Sequence, residues 1–271
     1  MNTALRFAVV ATAFAAIAAT VDAQTATANA ASMTIADAPA PSAATAAASD
    51  DVEAGRQILA AWIVGRRVSY GAVRKYGMEK CFSAESVDSR IRERMYGRSY
   101  KAECTIAWAD LRYLRLLHYD AGGHIVLGEM VCHKDVAADL VQIFRALFDA
   151  RYPIERMRLI DDYDADDARS MSHNNTTCFN YRVVAGSKKL SNHSRGKAVD
   201  LNPLYNPYVR RRADGTLLVN PESGRRYADR SRPFAYKIDR NDLAYRLFTK
   251  HGFVWGGGWK SLKDYQHFEK K

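Results

Sequence analysis

The chain has 271 residues, with 40 Lys+Arg against 30 Asp+Glu and a formal net charge of +10. Its 48% hydrophobic content is enough to bury a core, which excludes global disorder. Gly and Pro are too few for a fibrous or low-complexity protein, and the length suits one large domain or two small ones.

The elements begin with Arg6 ahead of an apolar run, Phe7 to Ala19, that is too short to span a bilayer. Val21-Asp22-Ala23 then ends on a small residue. This predicts a secretory signal over residues 1–23, cleaved before Gln24, with an uncleaved membrane anchor as the competing reading. No later stretch is long and apolar enough to cross a membrane, so no transmembrane segment is expected after cleavage. Residues 24–50 are almost all Ala, Thr, Ser and Pro and read as a disordered linker. The folded part is expected over residues 51–271.

Asp51 to Ile63 has helical spacing, with Ile58, Leu59, Trp62 and Ile63 on one side. Ser86 to Met95 is a second helix, with Ser86 as its expected N-cap. Leu111 to Tyr119 and His124 to Val131 read as strands joined by Ala121-Gly122-Gly123. Asp135 to Ala150 has the clearest helical period, with Val136, Leu140, Ile143, Leu147 and Phe148 on one face. Met157 to Ile160 reads as a short strand, and Asn241 to Lys250 as a helix closed by Gly252. Helices mixed with hairpin-linked strands predict an α+β fold with an antiparallel sheet and packed helices.

Export gives meaning to the four cysteines and to the charge. Cys81, Cys104, Cys132 and Cys178 are an even set in an oxidising compartment, which predicts two disulfides. Three connectivities are open, of which Cys81–Cys104 with Cys132–Cys178 is preferred; a structural zinc site is the competing reading, without the close C-x-x-C spacing it usually has. Outside the cytoplasm the positive charge suits anionic wall polymers or membrane surfaces rather than nucleic acid, or serves solubility alone. Arg210 to Arg212, with Arg225, Arg226, Arg230 and Arg232, reads as an exposed positive loop region.

Two stretches carry chemistry. In Ser191-Asn192-His193-Ser194-Arg195-Gly196-Lys197-Ala198-Val199-Asp200, a nitrogen and an oxygen ligand flank a glycine that permits a tight turn. Ala198 to Leu201 reads as a strand that projects Asp200 toward a His on the preceding turn. Near the C-terminus, Asp264-Tyr265-Gln266-His267-Phe268-Glu269 offers a second imidazole. Two His and one carboxylate, with a fourth position open, make a catalytic zinc set. Asp264 is placed to act as a carboxylate that takes a proton without binding metal, which requires a bend near Tyr265 because straight-strand residues three apart face opposite ways.

These residues resemble the zinc-dependent D-Ala-D-Ala carboxypeptidase and L-alanyl-D-glutamate endopeptidase family of peptidoglycan peptidases. The pattern S-x-H-x-x-G-x-A-x-D is matched by Ser191, His193, Gly196, Ala198 and Asp200, and the closing D-x-x-H by Asp264 and His267. Trp255-Gly256-Gly257-Gly258-Trp259 matches the paired tryptophans, and Asn174 to Arg182 also looks like the family. The resemblance implies a zinc site on the sheet of a D-Ala-D-Ala carboxypeptidase/hedgehog-like fold. It implies residues 51–120 as a family-variable N-terminal part and 121–271 as the core. It implies that His193, Asp200 and His267 bind zinc, that Asp264 is the general base, and that Arg182 orients substrate or stabilises the oxyanion. Ser191, Trp255 and Trp259 are expected at the substrate cleft, Ser191 also as a support of the His193 turn. One departure stands out: Gly258 replaces an aspartate that many relatives carry.

The function implied is an exported zinc metallopeptidase, periplasmic or cell-wall associated, that hydrolyses peptide bonds of peptidoglycan peptides. Carboxypeptidase and L-Ala–D-Glu endopeptidase action both remain open. The alternative is a catalytically weakened, zinc-containing cell-wall binding module.

Overall fold

The computed structural model describes residues 43–184 and 188–271, with the side chains of residues 43–48 left aside. The signal and most of the linker fall outside the described residues. Those described belong to a compact unit, Pro41–Lys271.

Helix α1 (Ala43–Ala61) begins before Asp51, so the end of the stretch read as linker is helical. It buries Leu59 and ends as Trp62 turns to a left-handed φ of 46°. There the Trp62 indole N–H donates to Gly128 O at 3.1 Å, while Ile63 is left exposed. Strand β1 (Arg67–Val68) leads to α2 (Tyr70–Tyr76), capped by the Ser69 hydroxyl, which accepts from Ala72 N. Strand β2 (Phe82–Ser86) precedes α3 (Ser89–Met95). The N-cap of α3 is Asp88, which accepts from Ile91 N at 2.8 Å, and not Ser86, which pairs with Arg112 inside the sheet.

The hairpin of β3 (Leu111–Tyr119) and β4 (Ile125–His133) is the spine of the fold, pairing from Leu111↔His133 to Tyr119↔Ile125. Its turn closes where Asp120 Oδ1 accepts from Gly122 N and His124 N. With β1 and β2 the spine makes an antiparallel sheet of order β1-β4-β3-β2. Helix α4 (Lys134–Asp149) follows at once and buries Leu140, Ile143, Phe144 and Leu147 against β3 and β2, as its period predicts.

Shorter pieces follow. Strand β5 (Arg156–Met157) is the start of the expected strand, which turns into a 3-10 segment at Ile160. After α5 (Asp167–Ser172), β6 (Asn175–Thr176) pairs with β5 in parallel, a departure from the antiparallel expectation. The site-bearing strand is β7 (Ala198–Asp200). A hairpin of β8 (Tyr208–Arg211) and β9 (Leu217–Asn220) comes next, then α6 (Leu243–Lys250), N-capped by Asp242. Strands β10 (Val254–Trp255), β11 (Lys263–Asp264) and β12 (His267–Glu269) end the chain. They complete two antiparallel sheets, β10-β12-β7 and β11-β8-β9.

All four cysteines are free thiols, which overturns the two expected disulfides. Cys81, Cys132 and Cys178 are buried in the hydrophobic core and act as small apolar residues. Burial pushes the Cys81 thiol up to about 12 and raises Cys132 and Cys178 further, so thiolates are suppressed. Arg230 also departs from the exposed positive loop. It is half-buried, stacks between Phe234 and Tyr265, and donates to the carbonyls of Tyr205, Tyr227 and Ile238. Arg210 to Arg212, Arg225, Arg226 and Arg232 are exposed as expected.

Candidate metal centre

The site is built on one cross-strand pair. β12 runs antiparallel to β7 with His267 opposite Asp200 and Phe268 opposite Val199. Alternation sends Val199 and Phe268 into the core, where the Phe268 ring stacks on Phe248 at 4.3 Å. It sends Asp200 and His267 to the other face. The strand hydrogen bond Leu201 N to Gln266 O, at 3.0 Å, makes His267 and Asp200 a non-hydrogen-bonded pair, whose side chains stand closest.

His193 arrives on a 3-10 turn, Asn192–Arg195. Ser191 caps that turn, its hydroxyl accepting from His193 N at 3.3 Å, which is the supporting role expected of it. The turn is pinned to the end of the spine: His133 N donates to Gly196 O at 2.9 Å, and Phe179 N to Val131 O at 3.0 Å. Gly196 has φ +65°, and a Cβ there would lie 2.6 Å from His133 N, so no larger residue fits this approach.

Among the described residues, His193, Asp200 and His267 are buried and offer donor atoms that all lie within 4.8 Å of one another. His193 Nε2 is 3.3 Å from Asp200 Oδ2, and His267 Nδ1 is 3.1 Å from Asp200 Oδ1. The far ring nitrogens are committed elsewhere: His193 Nδ1 to Cys178 O at 2.6 Å, and His267 Nε2 to Glu269 Oε2 at 3.0 Å. Asn192 Nδ2 donates to that same Glu269 oxygen at 2.6 Å. Glu269 and Asn192 lie inside the motifs but carried no role in the sequence reading. The signal for Glu269 was strand alternation, which puts residue 269 on the face of residue 267.

Burial opposes ionisation of Asp200, but His193 and His267 outweigh it and hold the carboxyl well below its ordinary range. Burial likewise opposes charge on His267, yet the Asp200 and Glu269 carboxylates push it up to about 10. A site that holds a proton this firmly between acidic oxygens is a site prepared for a cation. Two imidazole nitrogens and one carboxylate oxygen, each with the remaining ring nitrogen engaged, suit zinc with a position left open.

Asp264 ends β11, and the chain breaks at Tyr265–Gln266 before β12 begins, which is the bend its placement required. Its Oδ1 is buried without a hydrogen-bond partner among the described residues. Burial raises its pKa from 3.8 to about 6, with His267 and His193 opposing the rise and Asp200 adding to it. Gly256 lets the neighbouring loop approach: a Cβ there would sit 2.7 Å from Asp264 O and 3.3 Å from His267 Cβ. At Gly258 a Cβ would meet none of the described residues within 4 Å.

The other expected cleft residues separate. The Trp259 ring is 5.3 Å from the His267 ring. Trp255 pairs with Phe268 and so lies on the core face of the sheet, where its indole N–H donates to Tyr265 O at 2.8 Å. The backbone of Arg182 is bound to the His193 turn through Ser194 Oγ and Ser191 N, but its guanidinium forms an ion pair with Asp167. A cavity of about 420 Å³ lined by Arg67, Tyr70, His124 and Arg151 contains none of these residues.

Residues 185–270 match the sequence model of a family described as D-alanyl-D-alanine carboxypeptidase. Over this segment the chain is similar to that peptidase family. The matched segment contains all three donors, Asp264 and both tryptophans, and leaves Arg182 just outside it. No curated protein and no solved structure gives a match.

Proposed function

We propose that this chain is an exported zinc metallopeptidase that hydrolyses peptide bonds of peptidoglycan stem peptides, as a D-Ala-D-Ala carboxypeptidase or an L-Ala–D-Glu endopeptidase. The observation that carries the reading is the buried His193–Asp200–His267 triad with the unpartnered Asp264 Oδ1 beside it. The family match over residues 185–270 supports the same chemistry. On this reading the β10-β12-β7 sheet is the zinc-bearing sheet of the carboxypeptidase/hedgehog-like fold, and the signal over residues 1–23 delivers the enzyme to the periplasm or wall.

Bound by the three donors, zinc would supply a Lewis acid that lowers the pKa of a water and polarises a peptide carbonyl. Asp264 takes the proton from the attacking water and returns it to the leaving amine; a carboxyl raised toward 6 is suited to both tasks near neutral pH. Trp259 bounds the cleft beside His267. Arg182 serves a substrate carboxylate or the developing oxyanion by exchanging Asp167 for substrate, a bidentate task suited to a guanidinium.

The test is mass spectrometry of purified muropeptides incubated with the mature protein, Gln24 to Lys271, zinc-loaded and chelated in parallel. Zinc-dependent loss of a terminal alanine identifies the carboxypeptidase, and cleavage after L-Ala the endopeptidase. Unchanged masses with zinc bound refute the peptidase reading and leave the binding module, whose support is Gly258.

A further inference from the structure

We infer that Glu269, held by Asn192, is the positioning residue that sets which nitrogen of His267 faces the metal; the inference rests on the zinc reading of the site. Glu269 lies two residues beyond His267 on β12, so strand alternation puts both side chains on one face. Its Oε2 is 3.0 Å from His267 Nε2 and 2.6 Å from Asn192 Nδ2. An ionised carboxylate only accepts hydrogen bonds. In the neutral ring that a metal ligand must be, it therefore holds the proton on Nε2 and frees Nδ1, which faces Asp200 and His193.

The arrangement does more than orient one ring. Asn192 immediately precedes His193 in the 3-10 turn, so a single carboxylate oxygen ties the strand carrying one imidazole to the turn carrying the other. The two histidines thus present opposite nitrogens, Nε2 from His193 and Nδ1 from His267, and each has its other nitrogen fixed. The means differ. His193 is held by a main-chain acceptor, Cys178 O, which no substitution at position 178 removes. His267 depends on a side chain, so its alignment is open to mutation. The neighbouring Lys270 ammonium is engaged by Asp139, which leaves the Glu269 carboxylate to His267 and Asn192.

The experiment uses the mature chain, stripped of metal, as wild type, Glu269→Ala, Glu269→Gln and Asn192→Ala. Zinc affinity is measured by competition with a chromophoric chelator, and thermal unfolding of each metal-free protein is recorded alongside. Glu269→Ala weakens zinc binding about 10- to 100-fold, the range for loss of an outer-shell partner. Glu269→Gln keeps an acceptor oxygen and loses less, and Asn192→Ala moves in the same direction. Metal-free unfolding temperatures fall modestly, since the tie is lost in each variant, so the positioning role is read from the His267 proton position, which a merely structural role would not move. In the zinc-loaded wild type, imidazole ¹⁵N shifts place the His267 proton on Nε2. Wild-type affinity in Glu269→Ala, or a proton on Nδ1, overturns the inference while leaving the metal site standing. Failure of the wild type itself to bind zinc removes the metal reading, and the inference with it.

Discussion

Two glycines two residues apart should answer oppositely to the same added methyl group. At Gly256 a Cβ would lie 2.7 Å from the Asp264 carbonyl oxygen, 2.9 Å from Asp264 Cβ and 3.3 Å from His267 Cβ. The carbon–carbon optimum is about 3.5–4.0 Å, so Asp264 must retreat by about 0.6–1 Å. The atoms in the way are backbone and Cβ, which no rotamer change relieves. Overpacking of this kind costs about 1–3 kcal/mol. For a domain of this size that is a fall in Tm of about 2–12 °C. The functional loss should be larger in proportion, because metal donors tolerate only about ±0.2 Å and an ångström of misplacement costs a catalytic group about 100-fold. Gly258→Ala meets nothing within 4 Å and should shift stability by no more than about 0.5 kcal/mol. Differential scanning calorimetry of the metal-free proteins, with zinc competition and muropeptide turnover, measures all three effects. A Gly256→Ala protein with wild-type Tm and zinc affinity would refute the packing argument, as would the larger loss falling on Gly258→Ala.

Other expectations follow from the site. Asp264→Asn should lower kcat about 10²- to 10⁴-fold while zinc content stays at wild type; an emptied metal site would show that Asp264 is a ligand instead. The base works ionised, so its rate contribution is present above its pKa and is lost as pH falls through it. Since the group sits near 6 before a cation adds its pull, the acid limb of kcat should have its midpoint at or below about 6, and a midpoint well above that would assign it to another group. Arg182→Ala should lower kcat/KM, whereas Asp167→Asn should hold or raise it by removing the competing carboxylate; equal losses in both would make the ion pair structural. Unfolded, unreduced protein should titrate with four thiols, since all four cysteines are free, and two or fewer would show that disulfides form.

The parts legible in the sequence were those with a long period or a dense motif. The β3–β4 hairpin and helix α4 lie almost where their patterns put them, because nine and sixteen residues give alternation and helical spacing room to repeat. Strands β5, β6, β10 and β11 have two residues each and no period to read, so the parallel β5–β6 pair could not be anticipated. Nor could the β8–β9 hairpin, whose exposed arginines read as loop charge. The disulfide expectation failed because an even cysteine count says nothing of whether the thiols pair or lie in the core as free thiols. Trp255 and Trp259 are alike in sequence and opposite in use; what separates them is register, since Trp255 pairs with Phe268 and Trp259 does not.

Register is also what makes the candidate metal centre one object rather than a coincidence of motifs. The two motifs are 67 residues apart at Asp200 and His267, and only their antiparallel pairing brings them opposite. A slip of one residue would turn His267 into the core and Phe268 onto the site face. What prevents the slip is apolar: Phe268 stacked on Phe248, which also meets Phe144 of α4 and Phe253 edge-on. The aromatic cluster therefore does for Asp200 and His267 what a shared turn does for Asn192 and His193. The histidine motifs supply donors; the core that α4 and α6 build beneath the sheet decides that those donors meet.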